Sequence, residues 1–211
     1  MKRHIGWIAG TAAAALVAAG AITYAVAEDG DGGGGGLSVP GADGADAGFA
    51  RDMAVHHQQA VEMSYVIRDR TKNVEVRRLA YDIAQTQANQ RGMLLGWLDL
   101  WDLPKVSAKP PMSWMGMGDM PERGDGSLMP GMATDTELKK LGTLNGKQAE
   151  IFYLQLMTDH HKGGIHMAEG CVAKCTVAVE KSLAQGMVDA QQSELTTMKQ
   201  MLKERGAKPR D

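Results

Sequence analysis

The chain has 211 residues, of which 23 are basic and 25 acidic, so its formal net charge is −2 at pH 7. This length is enough for one domain of ordinary size with flanking segments. Because nucleic-acid binding requires clustered cations that neutralise phosphates, the charge argues against a nucleic-acid partner.

The amino terminus predicts export. Lys2 and Arg3 precede a stretch without charged side chains from residue 5 to residue 26, and Ala25-Val26-Ala27 fits the cleavage rule of a secretory signal peptide. A run of this length is also long enough to span a bilayer, so an uncleaved signal anchor that attaches the protein to the membrane is the alternative. Residues 1–27 are therefore expected to direct the rest of the chain to the cell envelope or the extracellular space.

Residues 28–48 predict a flexible tether, because five consecutive glycines and their small or acidic neighbours cannot bury a core. The folded domain is expected over residues 49–205. Its first helix is indicated by apolar and histidine residues that recur at spacings of three and four, as on the core-facing side of an amphipathic helix. These residues are Phe49, Met53, His56, Ala60, Met63 and Ile67.

A second helix is expected from about Val74 to Leu103, where Pro104 ends it. The turn at residues 71–73 is short, which favours an antiparallel helical hairpin. A second hairpin is expected over residues 148–174 and 177–205, with Gly206 as a stop signal.

The segment between the hairpins, residues 104–133, has no periodicity, and a loop of this length usually has a function or is disordered. After it, Thr134-x-x-Glu137 predicts a capping box for a short additional helix.

The two hairpins carry one motif twice. Met53-x-x-His56-His57 recurs exactly 104 residues later as Met157-x-x-His160-His161, and the register continues without a gap on both sides. A repeat at a fixed offset indicates a duplicated structural unit. The prediction is an all-α domain in which two helical hairpins dock into a four-helix bundle.

The motif also predicts a metal site. Residues three or four apart on a helix have neighbouring side chains, so each methionine can share an ion with the histidines that follow it. Imidazole suits several metals, but thioether sulfur chiefly selects Cu(I), which favours copper, with other metals possible. The predicted ligands are Met53, His56, His57, Met63, Met157, His160, His161 and Met167. The alternative is that these residues are ordinary core packing.

Other residues are secondary metal candidates. His166 has no counterpart in the first half, where Glu62 stands, and a solvent-facing position is an equal alternative. Six linker methionines interleaved with glycine and aspartate are expected to be flexible, exposed thioethers that capture Cu(I) or Ag(I), the alternative being adaptable packing against the bundle. They are Met112, Met115, Met117, Met120, Met129 and Met132.

Cys171 and Cys175 are the only cysteines and lie near the turn of the second hairpin. In an exported protein a disulfide is the default, and a spacing of four residues at a helix end allows it. A separate thiolate copper site is the alternative.

These motifs resemble those of the DUF305 family, a bacterial domain of unknown function. Besides the paired histidines, the resemblance rests on Gln191-x-x-Glu194-x-x-x-Met198 and Met129-Pro130-Gly131-Met132. It covers about residues 46–203 and implies a ferritin-like four-helix bundle that handles copper in the cell envelope. The first half departs from the family pattern, with Gln90 where the family usually has glutamate and Arg91 where it usually has an apolar residue.

The resemblance to ferritin-like proteins also raises a di-iron oxidase, but such sites require two Glu-x-x-His motifs and this sequence has none. The sequence therefore favours a metal-binding protein for copper buffering, relay or resistance rather than an enzyme. A metal-free structural or interaction module of the envelope is the alternative, and a single-copper oxidoreductase is less favoured.

Overall fold

The computed structural model describes residues 39–119 and 124–210, which contain helices and no strand. The predicted signal segment, residues 1–27, and most of the predicted tether lie outside these residues. Within the described ranges, no helix combines the length and the apolar character that a membrane crossing requires. The helices are α1 (Ala45–Arg70), α2 (Val74–Leu100), α3 (Asp135–Thr143), α4 (Gly146–Lys174) and α5 (Ala178–Glu204).

The helix ends follow from local chemistry. The Asn73 side chain caps α2 by accepting hydrogen bonds from the backbone N–H groups of Glu75 and Val76. Thr134 and Glu137 form the predicted capping box of α3. Helix α1 begins at Ala45, so the last four residues assigned to the tether from the sequence are helical, and α2 ends three residues before the predicted Leu103.

Helices α1 and α2 form one hairpin and α4 and α5 the other, as predicted, and the main contact between the hairpins is made by α1 and α4. These two helices are antiparallel. At one end the Asp46 carboxylate accepts hydrogen bonds from Thr176 and Val177, and at the other the Thr71 hydroxyl donates to Glu150 at 2.5 Å.

Because α2 is antiparallel to α1, it runs parallel to α4, and the connection between them must cross the length of the bundle. This is the crossover of a ferritin-like four-helix bundle. The connection holds α3 and a 3₁₀ turn at Ser113–Met115, which contacts α1. The all-α bundle of two duplicated hairpins is confirmed.

The core has two parts, one toward each end of the bundle. One surrounds Phe49, Met53 and Met167, and the other surrounds Met63, Tyr153 and Met157. The histidine pairs lie on α1 and α4 between these two apolar clusters. Polar imidazoles therefore occupy the middle of the bundle, where both neighbouring layers are apolar.

Candidate metal centre

The four paired histidines come together where α1 crosses α4. His56, His57, His160 and His161 are all completely buried. The rings of His56 and His160 lie with centroids 3.7 Å apart, and those of His160 and His161 lie 6.3 Å apart. Since the internal repeat makes His56 equivalent to His160, the two halves face each other about an approximate two-fold axis at this point.

Hydrogen bonds define the state of the second pair. His160 Nε2 lies 2.9 Å from the His56 carbonyl oxygen, and His161 Nε2 lies 2.6 Å from Glu194 Oε2. Because a carbonyl oxygen and an ionised carboxylate can only accept, Nε2 is the protonated nitrogen in both rings. In the neutral imidazole the Nδ1 atom then carries a free lone pair. Neither Nδ1 atom has a hydrogen-bond partner among the described residues.

The first pair is held less firmly. Neither nitrogen of His56 or His57 has a hydrogen-bond partner within the described chain. The Pro130 backbone lies beside His56, and the side chains of Gln87 and Gln90 lie beside His57. Gln90 stands where the second half has Glu194, so the first half lacks the carboxylate that fixes an imidazole by accepting its N–H.

Burial keeps the imidazoles of His56, His57 and His160 neutral. Loss of solvation lowers the pKa of His56 and His160 well below the ordinary value, and the neighbouring histidines lower it further. Burial likewise lowers the pKa of His57 to about 3, despite the opposing contacts with Gln90 and Gln87. A metal ligand must be an unprotonated imidazole, so near neutral pH these rings need lose no proton to bind an ion.

The four motif methionines are also fully buried. Met53 of the first half shares an apolar cluster with Met167 of the second, and Met63 shares the other cluster with Met157. The antiparallel arrangement therefore places thioethers from both halves on either side of the histidine layer.

The donor set distinguishes between metals. In the described part of the chain, the only three His, Cys, Asp or Glu side chains with ligand atoms within 4.8 Å of one another are Cys171, Cys175 and Glu180. The nitrogens of the four histidines do not form such a group, so in this arrangement histidine nitrogens alone would not hold an ion. Buried imidazole lone pairs with thioethers above and below fit a soft ion such as Cu(I) better.

The expectation of exposed linker methionines is wrong for three of the six. Met112, Met129 and Met132 are at most 9% exposed and belong to the apolar core cluster around Met53. Met115 and Met117 are half-buried against it, and Met120 lies outside the described residues. The reason is that the crossing segment packs along the bundle, which a sequence without a helical period does not reveal.

Two helical positions anchor this segment. The Gln59 amide donates to the Ala133 carbonyl at 2.9 Å and accepts from the Ala133 N–H at 2.7 Å. At the equivalent position of the second half stands Gly163, where a Cβ atom would lie 2.0 Å from the Pro130 oxygen. Residues 130–133 are therefore held beside the histidines in two ways. The Gln59 side chain on α1 binds their backbone, and the absence of a side chain at Gly163 on α4 lets the backbone approach closely. Sequence reasoning missed both residues, although their mismatch within an otherwise conserved repeat was a usable signal.

His166 is exposed on α4. It lies at the edge of an open pocket of about 560 Å³ that Pro130, Met132, Asp159 and Arg210 also line. Its position corresponds to the solvent-facing alternative, away from the buried histidines.

Cys171 and Cys175 are joined by a disulfide, with Cα atoms 4.8 Å apart. This is the pairing that an exported protein makes by default. Glu180, which sequence reasoning did not single out, is buried beside the disulfide.

A family model described as "Domain of unknown function (DUF305)" matches residues 46–202. Among solved structures, a presumed secreted DUF305 protein from Streptomyces coelicolor is 70% identical, with a TM-score of 0.76 over 81% of this chain and 99% of that one. A DUF305 fragment from Deinococcus radiodurans is 28% identical, with a TM-score of 0.62 over 76% and 96% of the two chains.

CopM in its Cu(I)-bound form is 19% identical, with a TM-score of 0.57 over 75% of this chain and 96% of that one, and at this identity the likeness concerns the fold. None of the curated proteins compared with the chain matches it in sequence.

Proposed function

This chain belongs to the DUF305 family, and we propose that it is an exported protein that binds Cu(I) between α1 and α4 rather than an enzyme. The observation that carries the proposal is the state of His160 and His161. Each ring donates its Nε2–H to an oxygen and keeps a buried Nδ1 lone pair without a partner. Histidines that bind metals typically donate their other ring N–H to a carboxylate or a backbone carbonyl in this way.

The ligands would come from both halves. His160 and His161 would supply the better oriented nitrogens, with His56 and His57 facing them. Met53, Met63, Met157 and Met167 would supply thioether sulfur. An unpaired buried polar nitrogen costs free energy, and a bound ion would recover that cost.

Two relatives support this proposal. CopM has been solved with Cu(I), Cu(II) and silver bound, so in that protein the same fold accommodates soft ions. The presumed secreted protein from Streptomyces coelicolor supports export of this chain. A buried, reversible Cu(I) site in the cell envelope would serve copper buffering, relay or resistance.

The proposed role of the linker methionines differs from the capture of ions at the surface. Met129 and Met132 pack into the cluster of Met53 and Met167, so they would line the ion's surroundings instead of capturing it from solvent. Met112, Met115 and Met117 lie in or against the same cluster. His166 would be an outer site at most.

The test is anaerobic titration of the purified protein with Cu(I) against a chromophoric Cu(I) chelator. The variant with both His160→Asn and His161→Asn should bind at least about tenfold more weakly, as expected when ligands are lost. The corresponding variant at His56 and His57 should lose less, and the exposed control His166→Asn should bind as the wild type does. Circular dichroism verifies that each variant retains its helices.

If both double variants bind Cu(I) like the wild type, the paired histidines are core residues of a structural or interaction module. Thermal melting provides a second readout, because an ion that binds only the folded state raises its stability. No change of Tm with Cu(I), Ag(I) or Zn²⁺ would support that alternative.

A further inference from the structure

A second cluster of ligand atoms lies at the end of the bundle where α4 ends and α5 begins. It consists of Cys171 in the last turn of α4, Cys175 at its C-cap and Glu180 in the first turn of α5. One ligand atom from each residue lies within 4.8 Å of the other two, and all three residues are buried. The cluster is separated from the paired histidines along α4, since Cys171 is 11 residues, or about 16 Å, beyond His160.

Glu180 is the unexplained member. It is 0% exposed, and neither carboxyl oxygen has a hydrogen-bond partner among the described residues. Burial and the neighbouring Asp46 raise the pKa of Glu180 to about 9. Among the groups that shift this pKa, only the Asp46 carboxylate offers Glu180 a polar contact, which leaves the cost of burying the carboxyl group largely uncompensated.

Asp46 also holds the turn that follows Cys175. Its carboxylate accepts hydrogen bonds from the Thr176 N–H at 2.8 Å, the Val177 N–H at 2.7 Å and the Thr176 hydroxyl at 3.1 Å. These bonds tie the turn after Cys175 to the start of α1. None of these bonds involves a sulfur atom, so reduction of the disulfide does not by itself remove them.

We propose that reduction of the Cys171–Cys175 disulfide creates a metal site in which both thiolates and the Glu180 carboxylate bind Zn²⁺. Zinc forms bonds of about 2.3 Å to thiolate and about 2.0–2.2 Å to carboxylate, so neighbouring ligand atoms on the tetrahedral ion lie roughly 3.5–3.8 Å apart. Forming the site therefore requires the two sulfurs, which a disulfide bond holds about 2.05 Å apart, to separate by about 1.6 Å. A carboxylate oxygen of Glu180, now within 4.8 Å of them, must move about 1 Å closer. The mixture of soft sulfur and hard oxygen favours Zn²⁺ over Cu(I).

A dithiol can act as the reductant of the Cys171–Cys175 disulfide. The dithiol supplies two electrons and two protons, the Sγ–Sγ bond breaks to give two thiols, and the reductant becomes a disulfide. Zn²⁺ then displaces the protons of both thiols and of Glu180, which leave to solvent. Reoxidation by a disulfide reforms the bond and releases the ion.

The experiment compares the purified protein before and after reduction with a metal-free phosphine. Zn²⁺ binding is measured by competition with a chromophoric chelator, and Cd²⁺ serves as a spectroscopic probe through its ultraviolet thiolate-to-metal band. Because the paired histidines are present in both redox states, only the additional binding after reduction belongs to this site. The experiment can therefore contradict this proposal without contradicting the proposed copper site, and the copper titration can fail without contradicting this proposal.

The reduced wild type should bind one additional Zn²⁺ and show the cadmium-thiolate band. Glu180→Gln should weaken the additional binding at least tenfold, and the matched control Glu169→Gln, an exposed carboxylate on α4, should not. A variant with both Cys171→Ser and Cys175→Ser should lose it.

No additional Zn²⁺ after reduction overturns the proposal, as does unchanged binding in Glu180→Gln. If reduction unfolds the domain, the recovery of helicity on adding Zn²⁺ replaces the titration. Recovery in the wild type that Glu180→Gln lacks supports the site, and no recovery in the wild type contradicts it.

Discussion

His56 and His160, equivalent residues of the two repeats, meet with ring centroids 3.7 Å apart, and His160 Nε2 donates to the His56 carbonyl oxygen at 2.9 Å. The duplicated halves thus contact each other through the same residue. The contact is nevertheless unequal, because the His160 ring has a hydrogen bond that orients it and the His56 ring has none among the described residues. The proposed copper site therefore has a better oriented second half and a looser first half.

Glu194→Gln should weaken Cu(I) binding by about tenfold, because the carboxylate that holds the His161 N–H also increases the basicity of the ring. The measurement is chelator competition at fixed pH. Glu204→Gln, an exposed glutamate near the end of the same helix, is the matched control and should have no effect. Equal affinities for the wild type and Glu194→Gln would show that this hydrogen bond does not serve metal binding.

Gln90→Glu should give the first half the carboxylate that it lacks. A negative charge beside His57 favours the protonated ring, so the pKa of His57 should rise from its value of about 3. Titration of the ring by NMR measures this shift, and Cu(I) affinity should increase with it. The exposed substitution Gln85→Glu provides the control. An unchanged His57 titration would mean that residue 90 does not contact the ring.

The stability of the metal-free protein should fall on mild acidification. His56, His57 and His160 have pKa values in the folded state below their ordinary value of 6.5, so the unfolded chain takes up protons first. The free energy of unfolding is unaffected by the titration of these histidines above about pH 6.5. It decreases as the pH falls toward their folded-state pKa values, by up to about 1.4 kcal/mol per pH unit for each histidine.

Urea unfolding at pH 7, 6 and 5 measures this effect. Glu180, whose pKa is raised to about 9, favours the folded state as the pH falls and offsets about one of the three histidines. The wild type should therefore still lose stability over that range. His57→Gln should show a shallower dependence. A free energy of unfolding that is constant from pH 7 to pH 5 would contradict neutral, buried imidazoles.

Gly163→Ala should destabilise the domain by about 1–3 kcal/mol, because the new methyl group would collide with the Pro130 oxygen and displace the linker from α4. Gly186→Ala, a helical glycine of α5 with open space around it, should instead stabilise by up to about 1 kcal/mol. Denaturant midpoints measure both. Equal effects of the two substitutions would show that the linker does not depend on the glycine for its position.

The helices could be predicted from the sequence because each has a long apolar period, and the repeat offset fixed the correspondence of the hairpins. The same period predicted that His56, and through the repeat His160, lies on a core-facing side, whereas the burial of His57 and His161 did not follow from it. The direction in which the second hairpin docks did not, since a long connection permits two topologies. It is determined by contacts distant in sequence, such as Asp46 with Thr176 and Thr71 with Glu150.

The packing of the linker and the position of Glu180 could not be predicted from the sequence. Met112, Met129 and Met132 are buried because an irregular segment docks on helices that are far away in sequence. The glycine-rich composition of the linker predicts exposure. Gln59 and Gly163, which are equivalent in the repeat, both contact the linker backbone, but only the fold shows this. Glu180 could not be singled out from the sequence either, because its position beside the disulfide depends on the geometry of the hairpin turn.

The most direct test of the copper proposal is anomalous diffraction from crystals loaded anaerobically with Cu(I). The proposal expects a peak between α1 and α4, at bonding distance from the Nδ1 atom of His160 or His161 and from a sulfur of a motif methionine. Peaks confined to the exposed surface, with the four imidazoles free of metal in fully loaded crystals, would contradict it.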